Sequence, residues 1–324
     1  MKIAIDAMGG DNGSKVIVAA IKDFLKEYQD VELVVFGKKE ELEEISSLCR
    51  IVDAPDVVPM EAGALEVIRM KNSSMCKAIS TMKEEHFDAV VSAGSTGGFL
   101  SAATLILKVI PGVKRAALVT AFPTKIKGKK VVVLDVGANN ENNAEELVQF
   151  AHMGKAYQQA LFKTNDPKTY LLSNGSEAHK GSPLVKEAHA LLKDGFEGFM
   201  GNMEARDVLN GEADILVADG FSGNILLKGM EGIAKMMSSM IKANFKKNLW
   251  TKLGYLHVKG GFKNMSETMD YKSTGGAMLL GINGVVIKAH GNSDAYSFKN
   301  AIRVAREMVN YHVVDKIQEA LAHE

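Results

Sequence analysis

Short runs of β-branched residues alternate with longer amphipathic segments along most of the 324-residue chain. Such alternation predicts strands that pair in parallel, and helices that cover both faces of the resulting sheet. We therefore expect an α/β fold, a three-layer α/β/α sandwich with a mostly parallel sheet. The runs predict strands at residues 2–6, 31–37, 89–92, 117–122, 131–135, 169–172, 199–200, 214–218 and 285–289. The intervening segments predict helices at residues 14–28, 39–48, 73–85, 98–109, 144–161, 184–193, 204–209 and 297–322.

The chain has no Pro- or Ser-rich linker and no internal repeat, so we expect residues 1–324 to form a single domain. A chain of this length can bury a full core without crosslinks. The two cysteines, Cys49 and Cys76, are too few for a disulfide framework or a four-ligand zinc site. Their number favours a reducing compartment.

Charge, histidine spacing and hydropathy argue against several functions. The 39 basic and 39 acidic residues give a formal net charge of zero, whereas nucleic-acid-binding chains are usually basic. The eight histidines form no H-x-x-x-H pair with a nearby carboxylate, so we expect no catalytic metal. We also expect no cofactor. No uncharged apolar run approaches the roughly 18 residues of a membrane span, and the first strand begins without a signal peptide. We expect a cytoplasmic protein that touches a membrane only peripherally.

Residues 225–265 depart from the alternating pattern. Helical periodicity continues from Ile225 to about Trp250, which is longer than a helix crossing one face of a sheet. Residues 241–263 contain six lysines, no acidic residue and interleaved apolar side chains. This pattern predicts a protruding helical arm. The arm either packs against a second subunit or presents a basic, amphipathic tip to an acidic protein or an anionic bilayer, and the two interpretations are compatible.

Seven loops that follow predicted strands are rich in Gly, Asn, Asp or Ser. They are residues 7–13, 93–98, 136–140, 173–177, 201–204, 219–224 and 290–293. In a parallel sheet such loops share the carboxyl edge, where open α/β folds bind ligands. Glycine lets the backbone approach a ligand, and the following helices present N–H groups to an anion. A tight turn explains any single loop better, but seven loops on one edge favour a phosphate-bearing ligand.

The known phosphate and nucleophile motifs are absent. Residues 9–13 do not match G-x-G-x-x-G, and no G-x-x-x-x-G-K-[ST] occurs. Residues 220–224 resemble a nucleophile elbow, but Asn224 stands where the second glycine belongs, so Ser222 is not expected to form an acyl-enzyme.

Three basic side chains near strand ends are candidates for the chemistry. Lys180 and Arg206 could clamp a phosphate or a developing oxyanion. Arg206 could equally form an ion pair with Glu204 or Asp207. His290 is either a general acid or a histidine satisfied within its turn.

Six segments taken together resemble the motifs of one family, in the family's order and over nearly the whole chain. They are residues 6–11 (DAMGGD), 92–97 (SAGSTG), 135–139 (DVGAN), 201–207 (GNMEARD), 219–224 (DGFSGN) and 288–291 (KAHG). The chain resembles the bacterial phosphate acyltransferases of phospholipid synthesis, the PlsX family.

The resemblance implies an enzyme that converts acyl-(acyl carrier protein) and inorganic phosphate into acyl phosphate and free carrier protein. It also implies a homodimer joined partly through the arm, association with the cytoplasmic membrane face, and a later acyltransferase of phospholipid synthesis that consumes the product. Phosphate is itself the nucleophile in this reaction, which agrees with the missing serine and cysteine motifs. The site must chiefly position phosphate against the thioester and stabilise an oxyanion.

On this basis Lys180 is expected to be the main catalytic cation, with His290 and Asn224 as further catalytic contacts. The residues expected to bind phosphate or the acyl thioester are Asp6, Gly9, Gly10, Asp11, Ser92, Gly94, Ser95, Thr96, Gly97, Asp135, Gly137, Asn139, Asn202, Glu204, Arg206, Asp219, Gly220, Ser222 and Gly223. The residues expected to contact a membrane or the carrier protein are Lys246, Lys247, Trp250, Lys252, Leu253, Leu256 and Lys259.

Two other functions stay open at this point. A phosphotransacetylase-like enzyme that uses acyl-coenzyme A would need the same phosphate chemistry. A non-catalytic membrane scaffold could recruit later enzymes of lipid synthesis through the basic arm. A nicotinamide dehydrogenase is disfavoured because the dinucleotide fingerprint is missing.

Overall fold

The structure is a computed structural model that describes residues 1–322, apart from 60, 249, 252, 256 and 262–274. Its strands form one eleven-stranded sheet in the order β3-β2-β1-β4-β11-β10-β5-β6-β9-β7-β8. The strands are β1 Lys2–Asp6, β2 Glu32–Gly37, β3 Arg50–Asp53, β4 Ala89–Ser92, β5 Ala117–Pro123, β6 Lys130–Leu134, β7 Thr169–Ser173, β8 Phe199–Glu204, β9 Ile215–Val217, β10 Ala277–Leu280 and β11 Val285–Lys288.

Two parallel halves of the sheet run in opposite directions. Strands β3, β2, β1, β4 and β11 are mutually parallel, and so are β6, β9, β7 and β8. Between the halves, β10 is antiparallel to β11, β5 to β10 and β6 to β5, so the direction reverses three times. The expectation that all the loops share one carboxyl edge is therefore wrong, because the carboxyl ends of the two halves lie at opposite edges.

Helices cover both faces of the sheet. They are α1 Gly13–Glu27, α2 Ala64–Arg69, α3 Ser74–Glu84, α4 Thr96–Ile106, α5 Ala144–Phe162, α6 Pro183–Gly195, α7 Gly220–Lys246, α8 Ala295–Asn310 and α9 Val313–Ala322. Side chains alternate along each strand, so β1 sends Ile3 and Ile5 into one core and Ala4 into the other. The first core packs on α1, α5, α6, α8 and α9, and the second on α2, α3 and α4. The three-layer α/β/α prediction is confirmed.

Polar residues in the strand-to-helix loops serve largely as helix caps. The side chains of Ser95, Ser182, Asp219 and Asp294 each accept a hydrogen bond from a first-turn N–H of the following helix. Asn143 forms a full capping box with Glu146. Each cap satisfies an N–H that the helix leaves without a partner, which favours Ser, Asp and Asn at these positions.

Some predicted elements differ from the structure. Residues 39–48 contain two 3₁₀ turns, Lys39–Glu41 and Glu43–Ile45, because the buried Leu42 and Ile45 recur at a spacing of three. The pattern missed β3 and β10, four-residue runs too short to classify by periodicity. The predicted helix 297–322 is divided into α8 and α9 by a turn in which His312 has φ of 53°.

The predicted arm, residues 225–265, begins within α7 and continues past its end, and its residues 262–265 lie outside the described residues. Helical residues continue at 250–251, 253–255 and 257–261, and Lys246, Lys247, Trp250, Leu253 and Lys259 are exposed, with Trp250 at 80%. Lys252 and Leu256 lie outside the described residues. Among the helices in the described ranges, none combines the length and the apolar character that a membrane span needs.

Candidate active site

A cavity of about 960 Å³ lies on one face of the sheet, between the central strand β5 and helix α7. Leu118, Thr120 and Phe122 line its floor because alternate residues of β5 point to the same face. The cavity runs along most of β5, so it meets loops from both edges of the sheet. Asp11, Thr96 and His290 come from one half, and Gly137 and Asn224 from the other. The loops are thus brought together by a face of the sheet rather than by a common edge.

Helix α7 forms the opposite wall. Asn224, Leu227, Glu231 and Ala234 recur every three or four residues, so they lie on one side of the helix and line the cavity together. Met230 and Ile233 extend the apolar part of this wall. The cavity thus combines an apolar stretch with polar groups near the first turns of α7, as ligand sites commonly do.

His290, Lys228 and Glu231 form a cluster at the polar end, hereafter the His290 cluster. Lys228 Nζ donates to Glu231 Oε2 at 3.1 Å and lies 3.4 Å from His290 Nε2. His290 Nε2 is 3.5 Å from Glu231 Oε1. Burial raises the pKa of the Glu231 carboxyl, but the hydrogen bonds from His290 and Lys228 outweigh burial and leave the pKa below its ordinary value. The cluster places a cation, a carboxylate and an imidazole within proton-transfer range.

Lys288 is a buried basic residue of the cavity. It is the last residue of β11, lines the cavity and is only 8% exposed. Its Nζ donates to the carbonyl of Ala289, and no carboxylate among the described residues forms an ion pair with it. Burial lowers the pKa of Lys288 to about 8, although the attraction of Asp6 and Asp11 opposes the shift.

Several predicted site residues reach the cavity. They are Asp11, Thr96, Gly137, Arg206, Asn224 and His290. Arg206 also pairs with Glu204 at 3.0 Å and Asp207 at 3.6 Å, as the alternative prediction held. Lys180 is exposed and does not line the cavity. The two predicted catalytic residues that the structure brings together are therefore Asn224 and His290.

Two of the predicted substrate-binding aspartates are buried and accept hydrogen bonds from neighbouring protein groups. Asp6 accepts from the hydroxyls of Ser74 and Ser92, both at 2.6 Å. The donors to Asp135 are the backbone N–H groups of Leu118, Gly137, Ala138 and Asn139, and the Asn139 side-chain amide. With these bonds made, both carboxylates hold the loops in shape and do not face the cavity.

Other predicted contacts also act locally. Asn202 bonds His189 and the carbonyl of Glu177, so its amide is engaged away from the cavity. The predicted residues that do not line the cavity are Asp6, Gly9, Gly10, Ser92, Gly94, Ser95, Gly97, Asp135, Asn139, Lys180, Asn202, Glu204, Asp219, Gly220, Ser222 and Gly223.

Gly220 and Gly223 let α7 pack closely on the turn at residues 135–139. A Cβ on Gly220 would overlap the carbonyl oxygen of Asn139, and one on Gly223 would overlap that of Asp135. The two glycines therefore bring the first turn of α7, and Asn224 with it, against Gly137.

The predicted site residues did not include Lys228, Glu231 or the floor of β5, nor Lys288, although Lys288 begins the 288–291 motif. The sequence does indicate Lys288 as a candidate, because a lysine ends a strand that is otherwise apolar. The sequence gives no such indication for Lys228 and Glu231, since polar residues three apart on a long helix usually face solvent.

Comparison with solved structures defines the class of protein. Over 95% of its length the chain resembles a branched-chain phosphotransacylase from Enterococcus faecalis, with a TM-score of 0.63, 17% identity and 99% of that chain covered. It resembles a phosphotransacetylase from Streptococcus pyogenes over 99% of its length, with a TM-score of 0.59, 19% identity and 94% of that chain covered. The fold is therefore that of the phosphotransacetylase-like α/β proteins.

Sequence comparison then defines the family. The model of the family described as "Fatty acid synthesis protein" matches residues 1–316. A phosphate acyltransferase from Exiguobacterium sp. is 42% identical over 328 aligned residues, which cover 99% of both chains. The chain belongs to this family of acyl-transferring enzymes.

Proposed function

We propose that the chain transfers an acyl group from acyl-(acyl carrier protein) to inorganic phosphate, giving acyl phosphate and free carrier protein for phospholipid synthesis. The observation that carries this proposal is the cavity between β5 and α7, which joins an apolar channel to a cluster of cations. The substrates have the same two-part character, since an acyl chain is apolar and phosphate is a dianion. The relatives named phosphate acyltransferase support the transfer of an acyl group to phosphate.

The apolar part of the cavity suits the acyl chain. Leu118 and Phe122 of β5 face Leu227, Met230 and Ile233 of α7 across it. Each buried methylene contributes roughly 0.8 kcal/mol to binding, so this lining favours the acyl chain over water. The thioester carbonyl then lies near Asn224 and the His290 cluster.

The reaction requires no acyl-enzyme. An oxygen of HPO₄²⁻ attacks the thioester carbon, the C–O bond forms and the C–S bond breaks. The thiolate takes up one proton, and the hydrogen acyl phosphate that forms gives one up. The enzyme therefore acts chiefly by holding phosphate and thioester in line.

Asn224 and the His290 cluster are the groups placed to act on this step. The Asn224 amide can donate a hydrogen bond to the oxyanion of the tetrahedral intermediate, and the Lys228 ammonium stabilises its charge. The cluster then supplies the proton that the departing thiolate takes up.

The basic arm is proposed to receive the acidic carrier protein and to contact the anionic membrane surface, with the chain acting as a homodimer at the cytoplasmic face. Lys246 and Lys247 are exposed near the end of α7, and the exposed Trp250 follows them. Such a surface attracts an acidic partner, and salt weakens the attraction. Changing both lysines to Glu should lower kcat/KM for acyl-(acyl carrier protein) and leave that for acyl-coenzyme A unchanged. Lys193→Glu, in the opposite helical layer, is the control.

The decisive experiment mixes the purified chain with acyl-(acyl carrier protein), with and without inorganic phosphate, and measures acyl phosphate. Product formation only with phosphate supports the proposal, and phosphate-independent thioester loss contradicts it. The same assay with acyl-coenzyme A tests the phosphotransacetylase alternative, which predicts the higher kcat/KM for that donor. Binding to anionic vesicles without any phosphate-dependent turnover would instead support the scaffold alternative.

Lys180 remains a prediction from sequence. Lys180→Ala is expected to lower acyl phosphate formation strongly and to leave the dimer intact, as measured by turnover and by sedimentation. Unchanged turnover would remove Lys180 from the mechanism.

A further inference from the structure

Lys288 is a buried charge in a strand that is otherwise apolar. Val285, Val286 and Ile287 precede it, and all three are buried. An ammonium at this depth is unfavourable unless an anion accompanies it, so an apolar residue would suit the fold better. An anion would stabilise this buried ammonium, and the described residues do not provide one in contact with it.

The other cations that line the cavity have partners. Lys228 pairs with Glu231, and Arg206 pairs with Glu204. Lys125 donates to the side chain of Asn210 at 3.1 Å. Lys288 differs because its one described hydrogen bond goes to the backbone carbonyl of its own neighbour, Ala289.

Asp6 does not neutralise Lys288 by direct contact. Its two carboxylate oxygens accept from the hydroxyls of Ser74 and Ser92 and from the N–H of Met8. Asp6 and Asp11 act on Lys288 only from beyond ion-pair distance, and Lys228 repels it. The Lys288 ammonium is therefore available to pair with an anionic ligand that enters the cavity.

We infer that the Lys288 ammonium binds the inorganic phosphate that attacks the thioester. This inference rests on the proposed function and specifies where the attacking phosphate binds. Thr96, at the first position of α4, lines the cavity together with Lys288 and Gly291, and the amino end of a helix favours an anion. Lysine suits phosphate because it offers a compact charge with three donors. Phosphate bound here lies on the same side of the cavity as His290.

The pH dependence of phosphate binding follows from the same groups. Burial lowers the pKa of Lys288 to about 8, and the charges of Asp6 on β1, Asp11 in the following loop and Lys228 on α7 act on it from a distance. Phosphate affinity should fall as the pH rises through that range, because the neutral amine no longer attracts the dianion. Lys288→Arg keeps its charge to higher pH and should move this fall upward.

The test compares Lys288→Met with wild type in two assays on the full chain. In steady state at pH 7, kcat/KM for phosphate should fall about 100-fold, a loss in the range expected for one charged hydrogen bond, while KM for the acyl thioester changes less than about threefold. In thermal unfolding, inorganic phosphate should raise the Tm of wild type and leave that of Lys288→Met unchanged. Lys77→Met is the matched control, because Lys77 Nζ also donates to a backbone carbonyl, at 2.9 Å, but lies outside the cavity.

The two assays separate the inference from the proposed function. If Lys288→Met forms acyl phosphate with an unchanged KM for phosphate, the inference is overturned and the proposed function stands. If wild type forms no acyl phosphate, but phosphate still stabilises wild type and not Lys288→Met, the phosphate site stands and the acyl transfer does not. Equal stabilisation of both proteins by phosphate overturns the site.

Discussion

Replacing Lys288 by Met should make the folded chain more stable while it removes phosphate binding. Burial lowers the pKa of Lys288 from its ordinary 10.5 to about 8. Each unit corresponds to about 1.4 kcal/mol, so the protonated lysine destabilises the fold by roughly 3 kcal/mol at neutral pH. Methionine has similar length and no charge, so it removes this penalty at the cost of one hydrogen bond to Ala289.

The direction in which the stability difference changes with pH distinguishes the removal of a buried charge from a change in side-chain packing. The folded pKa lies below the unfolded one, so the penalty is complete below pH 8, declines as the pH rises, and is absent above about 10.5. The stability advantage of Lys288→Met should therefore shrink from roughly 3 kcal/mol at pH 6.5 to roughly 1.4 kcal/mol at pH 9.5.

Urea unfolding of both proteins without phosphate, at several pH values, measures this difference directly. Lys77→Met, measured in parallel, should show no comparable trend. If Lys288→Met is less stable than wild type across the range, or if the difference does not change with pH, then Lys288 is a structural lysine and the reasoning is wrong.

Three further predictions concern the walls of the cavity. In urea titrations, Gly223→Ala should lower the free energy of unfolding by about 1–3 kcal/mol, because its Cβ would overlap the carbonyl of Asp135. A Cβ on Gly229 would have no atom within 4 Å, so Gly229→Ala should not lower that free energy. Glu231→Gln should lower kcat about 100-fold with little change in KM for the acyl donor, and an unchanged kcat would exclude the cluster from proton transfer. Leu227→Trp should fill the apolar channel. The value of kcat/KM for a sixteen-carbon donor, divided by that for an eight-carbon donor, should then fall about tenfold. An unchanged ratio would show that the acyl chain binds elsewhere.

The alternation of strands and helices determined the class of the fold, because side-chain periodicity is a local property that the sequence shows directly. The same local character explains why the loop residues were predicted as a group. Ser95 and Asp219 were predicted to bind the substrate, and in the structure their side chains cap the helices that follow them. Cap and ligand contact use the same residue types, so sequence alone could not separate them.

Strand direction was decided only by the tertiary structure. The three antiparallel pairings around β10 and β5 reverse the second half of the sheet, and β10 is a four-residue run without a clear pattern. Strand pairing depends on contacts between residues far apart in the chain, which local periodicity does not report. The reversal places the loops at two edges, and the cavity along β5 brings some of them together.

By itself the sequence determined the α/β class, the family motifs and the basic composition of residues 241–263. The tertiary structure decided that Asn224 and His290 share a cavity, that Lys180 lies outside it, and that Lys288 is its buried cation. The physical reason is that a residue type shows which chemistry a side chain can perform, whereas burial and the absence or presence of a neighbouring charge arise only when distant segments pack.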